Sequence, residues 1–241
     1  MEQKLVIGQA MSTINPQITF SIIIPTLNEE KVLARQEAGL KSFGGEMEII
    51  VSDGGSRDGT LEIARRLGWS VVEGARGRGS QMNAGASIAR GEVLIFLHAD
   101  TILPEAAPEL ISEALIDSKV VGGNFRLKFS GNSRESGWLT RIYPLLRLGG
   151  MCYGDSGFFI RHNIFESVGG FRDYPIFEDC DLYRRLNKVG RFKMVDGAAE
   201  TSSRRFEGRF MRTFLLWIVL QVLYWCGISP HRLAAYYRAV R

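Results

Sequence analysis

Five consecutive apolar residues, Val93, Leu94, Ile95, Phe96 and Leu97, constrain this chain more than any other stretch. So short a run, rich in β-branched and aromatic types, reads as a strand buried on both faces of an α/β sheet. It ends abruptly in His98, Ala99 and Asp100, two candidate metal ligands separated by one small residue. In open α/β sheets ligands sit beyond the carboxyl ends of the strands, so chemistry is expected here. Strands also commonly end in a polar turn, and the run alone does not make a site.

Other segments repeat the pattern. Phe20–Ile24 is a strand expected to stop at Pro25, which cannot donate a ladder hydrogen bond. Asn28 is then placed to cap a helix reaching about Phe43. Met47–Asp53 is a second strand, again closing on a carboxylate, and DGGSRDGT (Asp53–Thr60) turns it into a helix to Leu67. Its glycines allow a tight turn, Ser56 and Asp58 are placed as caps, and Gly68 closes the helix. A carboxylate at a strand tip beside free helix-start N–H groups suits a nucleotide, though a well-made βα turn explains the same residues. Trp69–Glu73 is a third strand. Gly74–Ser80, with Arg76 and Arg78, then leads into a helix from Gln81 to Ala89. The spacing is neither a dinucleotide fingerprint nor a Walker loop, yet two arginines on flexible backbone ahead of a helix suit diphosphate oxygens.

Further on, a helix from Pro104 to Ile116, a glycine-containing strand Val120–Phe129 and an amphipathic helix over 132–148 are expected. Phe158–Arg161 is another strand, and the position of His162 just beyond it leaves a metal role open. Glu178, Asp179 and Asp181 open a helix. The macrodipole alone explains three carboxylates there, but the same geometry exposes one at a pocket mouth, where a general base belongs. Arg191–Val195 is the last expected strand.

A net charge of +4 and a pI of 9.0 suit an anionic partner: a nucleotide, a phospholipid surface or nucleic acid. Nucleic acid is not expected, because the basic residues are scattered and no stacking platform is evident. Three cysteines without Cys-x-x-Cys spacing speak against a zinc cluster or disulfide framework and fit a reducing cytosol. Residues 1–18 read as a loosely ordered leader without a signal-peptide core. The tail differs in character, being almost wholly apolar from Phe214 to Ile228 and bracketed by Arg209, Arg212, His231 and Arg232. It is too short to span a membrane, and a buried helix, an interfacial helix or a dimer contact all fit. Trp217, Tyr224, Trp225, Tyr236 and Tyr237 favour an interface or a hydrophobic partner.

Taken in order, SIIIPTLNEE, DGGSRDGT, RGRGSQMNAG, FLHAD, GDSGFF and FEDCDL resemble the family-2 inverting glycosyltransferases of the GT-A fold, from Phe20 to about Arg205. The closing TSSRR and the apolar tail resemble a bacterial branch named for radical-SAM and selenium-related gene neighbourhoods and linked to arsenosugar synthesis. The resemblance implies a Rossmann-like three-layer α/β/α domain over 19–205 and a helical, amphipathic or apolar tail over 206–241. It implies a nucleotide-diphosphate-sugar donor, a UDP-sugar, and a divalent cation, Mn²⁺ or Mg²⁺. Pro25, Asn28 and Glu29 would line the nucleoside pocket, Asp53 would bind the base, and Arg76 and Gly77 would face the diphosphate. Asp100 would hold the cation, Gly154 and Asp155 would lie near the acceptor, and Asp179 would be the base, with Glu178 its competitor. His98 replaces the first Asp of the family's metal motif. Mn²⁺ tolerates imidazole, which leaves His98 as a second ligand.

The tail lacks the Gln-x-x-Arg-Trp signature and multiple spans of processive polysaccharide synthases. Transfer of a single sugar to a small-molecule or lipid-linked acceptor is therefore expected. The expected location is the cytoplasm, peripheral on the inner face of the cytoplasmic membrane through residues 210–228, with a homodimer as another use of the tail. Nucleotidyl transfer, which releases pyrophosphate, and a non-catalytic nucleotide-sugar binder or membrane adaptor are the alternatives.

Overall fold

The computed structural model describes residues 19–40, 42–43, 47–74, 76–130, 137–138, 140–142, 153–202 and 210–238. The leader, most of the helix expected over 132–148, and residues 203–205 of TSSRR lie outside them. Within the described residues the strands are β1 (Phe20–Thr26), β2 (Met47–Asp53), β3 (Ser70–Glu73), β4 (Val93–Phe96), β5 (Thr101–Ile102), β6 (Val120–Ser130), β7 (Phe158–Arg161) and β8 (Arg191–Ser202). They form one mixed sheet in the order β3-β2-β1-β4-β7-β6-β8-β5. β3, β2, β1 and β4 run parallel, whereas β7 is antiparallel to both β4 and β6. The helices are α1 (Glu30–Leu40), α2 (Thr60–Arg66), α3 (Arg78–Ile88), α4 (Ala107–Ile116), α5 (His162–Ser167), α6 (Glu178–Val189), α7 (Phe210–Trp225) and α8 (Pro230–Arg238).

Alternation along the central strands builds an apolar layer on each face of the sheet. Ile22 and Ile24 of β1 join Leu33 of α1, Ala64 of α2 and Ile111 of α4 in one cluster. Ile23 joins Met82 of α3, Phe165 of α5 and Leu182 of α6 in another. All of β4 is buried, as its apolar run predicts, and each such side chain contributes roughly 1.5–3 kcal/mol. The glycines of β6 reflect close packing. A Cβ at Gly123 would sit 2.1 Å from the Lys193 carbonyl oxygen and 2.4 Å from the Phe159 ring.

Several expectations are corrected. Pro25 lies inside β1 instead of ending it. β1 pairs with β4 only as far as Ile23 with Phe96, and Pro25 stands beyond that point, where no partner strand needs its missing N–H. The cap of α1 is Glu29, whose carbonyl accepts the first helical bond from Leu33 N–H, and Asn28 sits outside the helix at φ 58°. α3 starts at Arg78, three residues earlier than expected. β8 continues to Ser202 along β6, and β5 pairs with its far end, a two-residue strand too short to leave a periodic signal. His162 is structural: its Nδ1 lies 2.9 Å from the Gly91 carbonyl oxygen.

The parallel strands place the ends of β1, β2 and β4 on one edge of the sheet. Antiparallel β7 enters at that edge, which brings Gly154–Gly157 alongside. The tail packs there too. Leu220 and Tyr224 of α7 and Leu233 of α8 form a third cluster with Leu127, Phe129, Tyr153, Phe177 and Cys180. One side of α7 is thus core. The opposite side of α7 leaves Met211, Leu215, Val219, Val222 and Trp225 between 44% and 62% exposed. No helix of the described residues is long and apolar enough to cross a membrane.

Candidate active site

At the strand-end edge, the loops after β1 and β2 are one hydrogen-bonded unit. A helix start leaves backbone N–H groups without helical partners, and here each loop satisfies the other's. Asn28 N–H donates to Ser56 Oγ (2.8 Å), Glu29 N–H to Thr60 Oγ1 (2.8 Å) and Glu30 N–H to Asp58 Oδ2 (3.3 Å). In return Arg57 N–H donates to Asn28 Oδ1 (2.8 Å) and Gly59 N–H to Glu30 Oε2 (2.9 Å). Asp53 anchors the unit from below. Its carboxylate accepts from Gly55 N–H (2.8 Å), Ser56 N–H (2.7 Å), Ser56 Oγ (2.5 Å) and Thr26 Oγ1 (3.0 Å). Burial by itself raises a carboxyl pKa, but these bonds from Ser56, Gly55 and Thr26 outweigh it and hold Asp53 below its usual value. Gln81 of α3 fixes both strand ends, donating to the Thr26 (2.7 Å) and Ser52 (2.9 Å) carbonyl oxygens.

The late segment supplies a second carboxylate of opposite character. Phe177, at φ 63°, precedes α6 in a left-handed conformation that bulky residues rarely adopt, and it delivers Glu178 and Asp179 inward. Both are buried. Glu178 Oε1 accepts from Arg78 Nε, and Arg78 Nη2 lies 4.0 Å from Asp179 Oδ2. Burial would lower the Arg78 pKa, but the adjacent Glu178 and Asp179 charges raise it instead. Asp179 Oδ2 also accepts from Gly154 N–H (2.8 Å), and Oδ1 from Cys180 N–H (2.7 Å). Desolvation first, and the neighbouring Glu178 charge second, push its carboxyl up to about 6 against the pull of Arg78 and the two amides. The third carboxylate of this run, Asp181, has a structural partner in Arg185 (2.7 Å), which in turn donates to the Val168 and Gly170 carbonyl oxygens.

His98 closes the cluster. Its Nδ1 lies 2.5 Å from Asp155 Oδ1, and its Nε2 is buried without a hydrogen-bond partner. A carboxylate only accepts, so Asp155 holds the proton at Nδ1 and, in the neutral ring, leaves the lone pair at Nε2. The recess beside it is lined by Met82, Phe96, His98, Gly154, Phe158, Phe171, Glu178 and Asp179. Among the described residues, no three His, Cys, Asp or Glu side chains converge to hold a metal ion on their own. One donor fits a cation: a histidine braced by a carboxylate with its second nitrogen free is the arrangement of metal-bound imidazoles, and that nitrogen faces the recess it shares with Glu178 and Asp179.

The fold therefore gathers His98, Gly154, Asp155, Glu178 and Asp179, and sets Pro25, Asn28, Glu29 and Asp53 at the neighbouring strand ends. Arg76 is exposed on the loop ahead of α3. The arginine brought into the cluster is Arg78, which the loop pattern offers to diphosphate oxygens together with Arg76 and which the structure pairs with Glu178 instead. The only signal for it was the helix start, since its partner Glu178 lies one hundred positions away. Gln81 and the Asp155 brace were likewise invisible.

Comparison with known proteins bears on these residues. The family described as glycosyl transferase family 2 matches residues 21–173. A PGL/p-HBAD biosynthesis glycosyltransferase of Mycobacterium bovis is 33% identical over 176 residues, which cover 68% of this chain and 67% of that protein. An undecaprenyl-phosphate 4-deoxy-4-formamido-L-arabinose transferase of Pseudomonas paraeruginosa is 35% identical over 131 residues, 49% of this chain but only 37% of the relative. The chain thus spans well under half of that relative's length. Among solved structures, a mannosyltransferase from Pyrobaculum calidifontis in complex with GDP-Man and Mn²⁺ superposes with a TM-score of 0.63 at 19% identity, covering 86% of this chain and 62% of that one. S. aureus TarS 1–349 in complex with UDP-GlcNAc gives 0.62 at 20% identity, covering 81% and 61%. Such identities show the fold alone, a GT-A-like α/β arrangement. The matched segment covers well over half of the sequence and carries the two interlocked loops, the His98–Asp100 strand end and the Gly154 turn; the chain belongs to glycosyl transferase family 2.

Proposed function

We propose that this chain is an inverting glycosyltransferase that moves one sugar from a nucleotide-diphosphate donor, a UDP-sugar, to a hydroxyl of a small-molecule or lipid-linked acceptor. The observation that carries the reading is Asp179, a buried carboxylate pushed up to about 6 at the edge where the parallel strands end. A base whose pKa lies near working pH is both ionised and able to take a proton. The acceptor hydroxyl gives its proton to Asp179 as its oxygen bonds to C1 of the donor sugar. The bond from C1 to the diphosphate oxygen breaks on the opposite face, the nucleoside diphosphate leaves with the electron pair, and the anomeric configuration inverts. Glu178, held by Arg78, keeps the negative charge beside Asp179 that raises its basicity.

Pro25, Asn28 and Glu29 line the nucleoside pocket, and Asp53, held in place by its own loop, binds the base. Arg76 and Gly77 face the diphosphate from the start of α3. Asp100, with His98 as second ligand, would hold a divalent cation, Mn²⁺ or Mg²⁺, which supplies positive charge to the leaving diphosphate. Gly154 and Asp155 sit on the acceptor side, the first fixing the base and the second bracing His98. Solved relatives bound to GDP-Man with Mn²⁺ and to UDP-GlcNAc support the donor class.

The name of the undecaprenyl-phosphate transferase supports a lipid-linked acceptor, as does the outer face of α7. Neither α7 nor α8 contains an acidic residue, and Arg212, His231 and Arg232 are exposed on these two helices. That combination complements an anionic lipid surface and supports a cytoplasmic protein peripheral on the inner face of the membrane. The same tail supports the branch associated with radical-SAM and selenium-related genes.

A thermal-shift series with UDP-sugars, with and without Mn²⁺, tests donor binding, because a ligand of the folded state raises its stability. Product analysis then decides the reaction. Nucleoside diphosphate and a glycoside of inverted configuration are expected, and release of pyrophosphate would overturn the assignment in favour of nucleotidyl transfer. A Glu178→Gln variant that loses transfer while Asp179→Asn keeps it would move the base to Glu178.

A further inference from the structure

The bond that holds Asp179 joins two segments that are far apart in sequence, and both are gripped by the tail. Gly154, the amide donor, directly follows Tyr153. The Tyr153 hydroxyl donates to Gln221 Oε1 of α7 (2.7 Å), and its ring lies against Trp217 with centroids 4.3 Å apart. Asp179, the acceptor, lies two residues after Phe177, whose ring stacks on Tyr224 of α7 at 4.7 Å and 13°. Gln221 is the one polar side chain in the apolar run, and it is fully buried. Its Oε1 accepts from Tyr153 while its Nε2 is buried without a hydrogen-bond partner among the described residues, so the bond to Tyr153 is the one polar contact that offsets the amide's desolvation. Phe177 is also the left-handed residue that turns Glu178 and Asp179 inward, a conformation that persists only where surroundings enforce it.

We infer that α7 is a positioning element of the active site: Trp217 and Gln221 hold Tyr153, Tyr224 holds Phe177, and together they set the Gly154–Asp179 hydrogen bond. This rests on Asp179 being the base. The two-faced character of α7 gives the arrangement its consequence. Its inner face grips the base segment while its outer face is the exposed apolar stripe, so whatever covers the stripe acts on the helix that aligns the base. The base thereby belongs to the tail as much as to the sheet.

Hydrogen exchange of the full chain, read residue by residue by NMR, tests this without a known substrate. Tyr224→Leu removes the stack on Phe177. It is expected to speed exchange of the Gly154 amide about tenfold while the amides of Ile22 and Ile50 in the central strands keep their protection. Tyr224→Phe, which retains the ring, is expected to restore Gly154 to the parent rate. Gln221→Leu tests the other grip and should also free Gly154, so the inference stays testable if Tyr224→Leu does not fold. Unchanged exchange at Gly154 in both variants overturns it. Equal acceleration at Gly154, Ile22 and Ile50 overturns it too, because that is general destabilisation. Asp179→Asn separates this from the underlying reading. If that variant still transfers sugar, the base assignment fails whatever Gly154 does, and if it is inactive while Gly154 stays protected in Tyr224→Leu, only the positioning role fails.

Discussion

Asp53 and Asp179 are two buried carboxylates on the same edge of one sheet, and their surroundings drive them in opposite directions. Asp53 ends β2, where the following loop and Thr26 of β1 turn four donors onto it, so its charge is welcome and its pKa falls. Asp179 receives two amides and a distant guanidinium, and pays for burial beside a second carboxylate with a pKa pushed up to about 6. Saturated hydrogen bonding makes a scaffold; incomplete compensation makes a group able to exchange a proton. The first region is built from residues within one βα turn and its neighbour. The second is assembled from β7, α6, α3 and the tail.

The largest expected effect breaks the comparison at its reactive side. Asp179→Asn preserves size and most hydrogen bonding but removes basicity, so sugar transfer should fall by roughly 10²–10⁴-fold with donor affinity by calorimetry unchanged. Transfer at near the parent rate would leave Asp179 as a second structural carboxylate, no different in kind from Asp53.

Arg78→Met comes next. It leaves Glu178, only 1% exposed, without its counter-charge, and removing one partner of a buried pair typically costs about 3–5 kcal/mol. The Arg78 side chain is 35% exposed, so water screens part of the loss and about 2–3 kcal/mol in urea unfolding is expected. Arg76→Met should leave stability unchanged, its side chain being exposed. Equal unfolding midpoints for the two variants would erase the distinction between the arginines.

A smaller effect tests the sign of both carboxylates at once. The folded pKa of Asp179 lies above the ordinary 3.8, so its stabilising contribution is fully present below that value and is lost as pH rises through about 6. Above pH 6 the Asn variant should therefore melt higher than the parent, with the difference closing below about pH 4. Asp53 is lowered, so its contribution is present above 3.8 and is lost as pH falls through its folded value. Asp53→Asn should cost about 1–3 kcal/mol at neutral pH, with the deficit shrinking in acid. Parallel pH-stability curves for the two variants would show that the environments do not differ as described.

The same division explains what could be read from the residues alone. β1, β2 and β4 announce themselves because burial on both faces demands continuous apolar runs, and Asp53 and Asp100 are visible as polar groups closing them. Arg78 was passed over for Arg76 because neighbouring loop arginines look alike until a helix start turns one inward. Its partner lies in α6, and no local pattern encodes a pairing over that separation. The brace of Asp155 on His98 is hidden for the same reason. The tail is legible as a helix, amphipathic or apolar, but which of its sides is covered is not. Composition records how much of α7 is greasy, and only the position of Leu127, Phe129, Tyr153 and Phe177 decides which side is covered. Asp179 lies beyond residue 173, where the family match ends, so the candidate base rests on the Glu-Asp pair and its geometry.

The remaining contrast is between the two sides of α7, and it predicts the smallest effect on the fold. Leu215 and Val219 are 56% and 52% exposed, so Glu at either position disturbs no core contact and should change stability by less than about 0.5 kcal/mol. On an anionic lipid surface the same changes remove apolar insertion and add repulsion to a helix pair otherwise free of acidic residues. Co-sedimentation with phosphatidylglycerol vesicles should weaken roughly fivefold per substitution, about 1 kcal/mol each, and raised salt should weaken the parent further. Phosphatidylcholine vesicles should bind the parent poorly, since the flanking Arg212, His231 and Arg232 then have no counter-charge. If the parent ignores both vesicles but sediments as a dimer that Leu215→Glu dissociates, the stripe meets a second copy of this chain and the lipid-surface assignment is wrong. If it does neither, the stripe covers nothing in solution, and the acceptor must reach Asp179 without help from the outer face of α7.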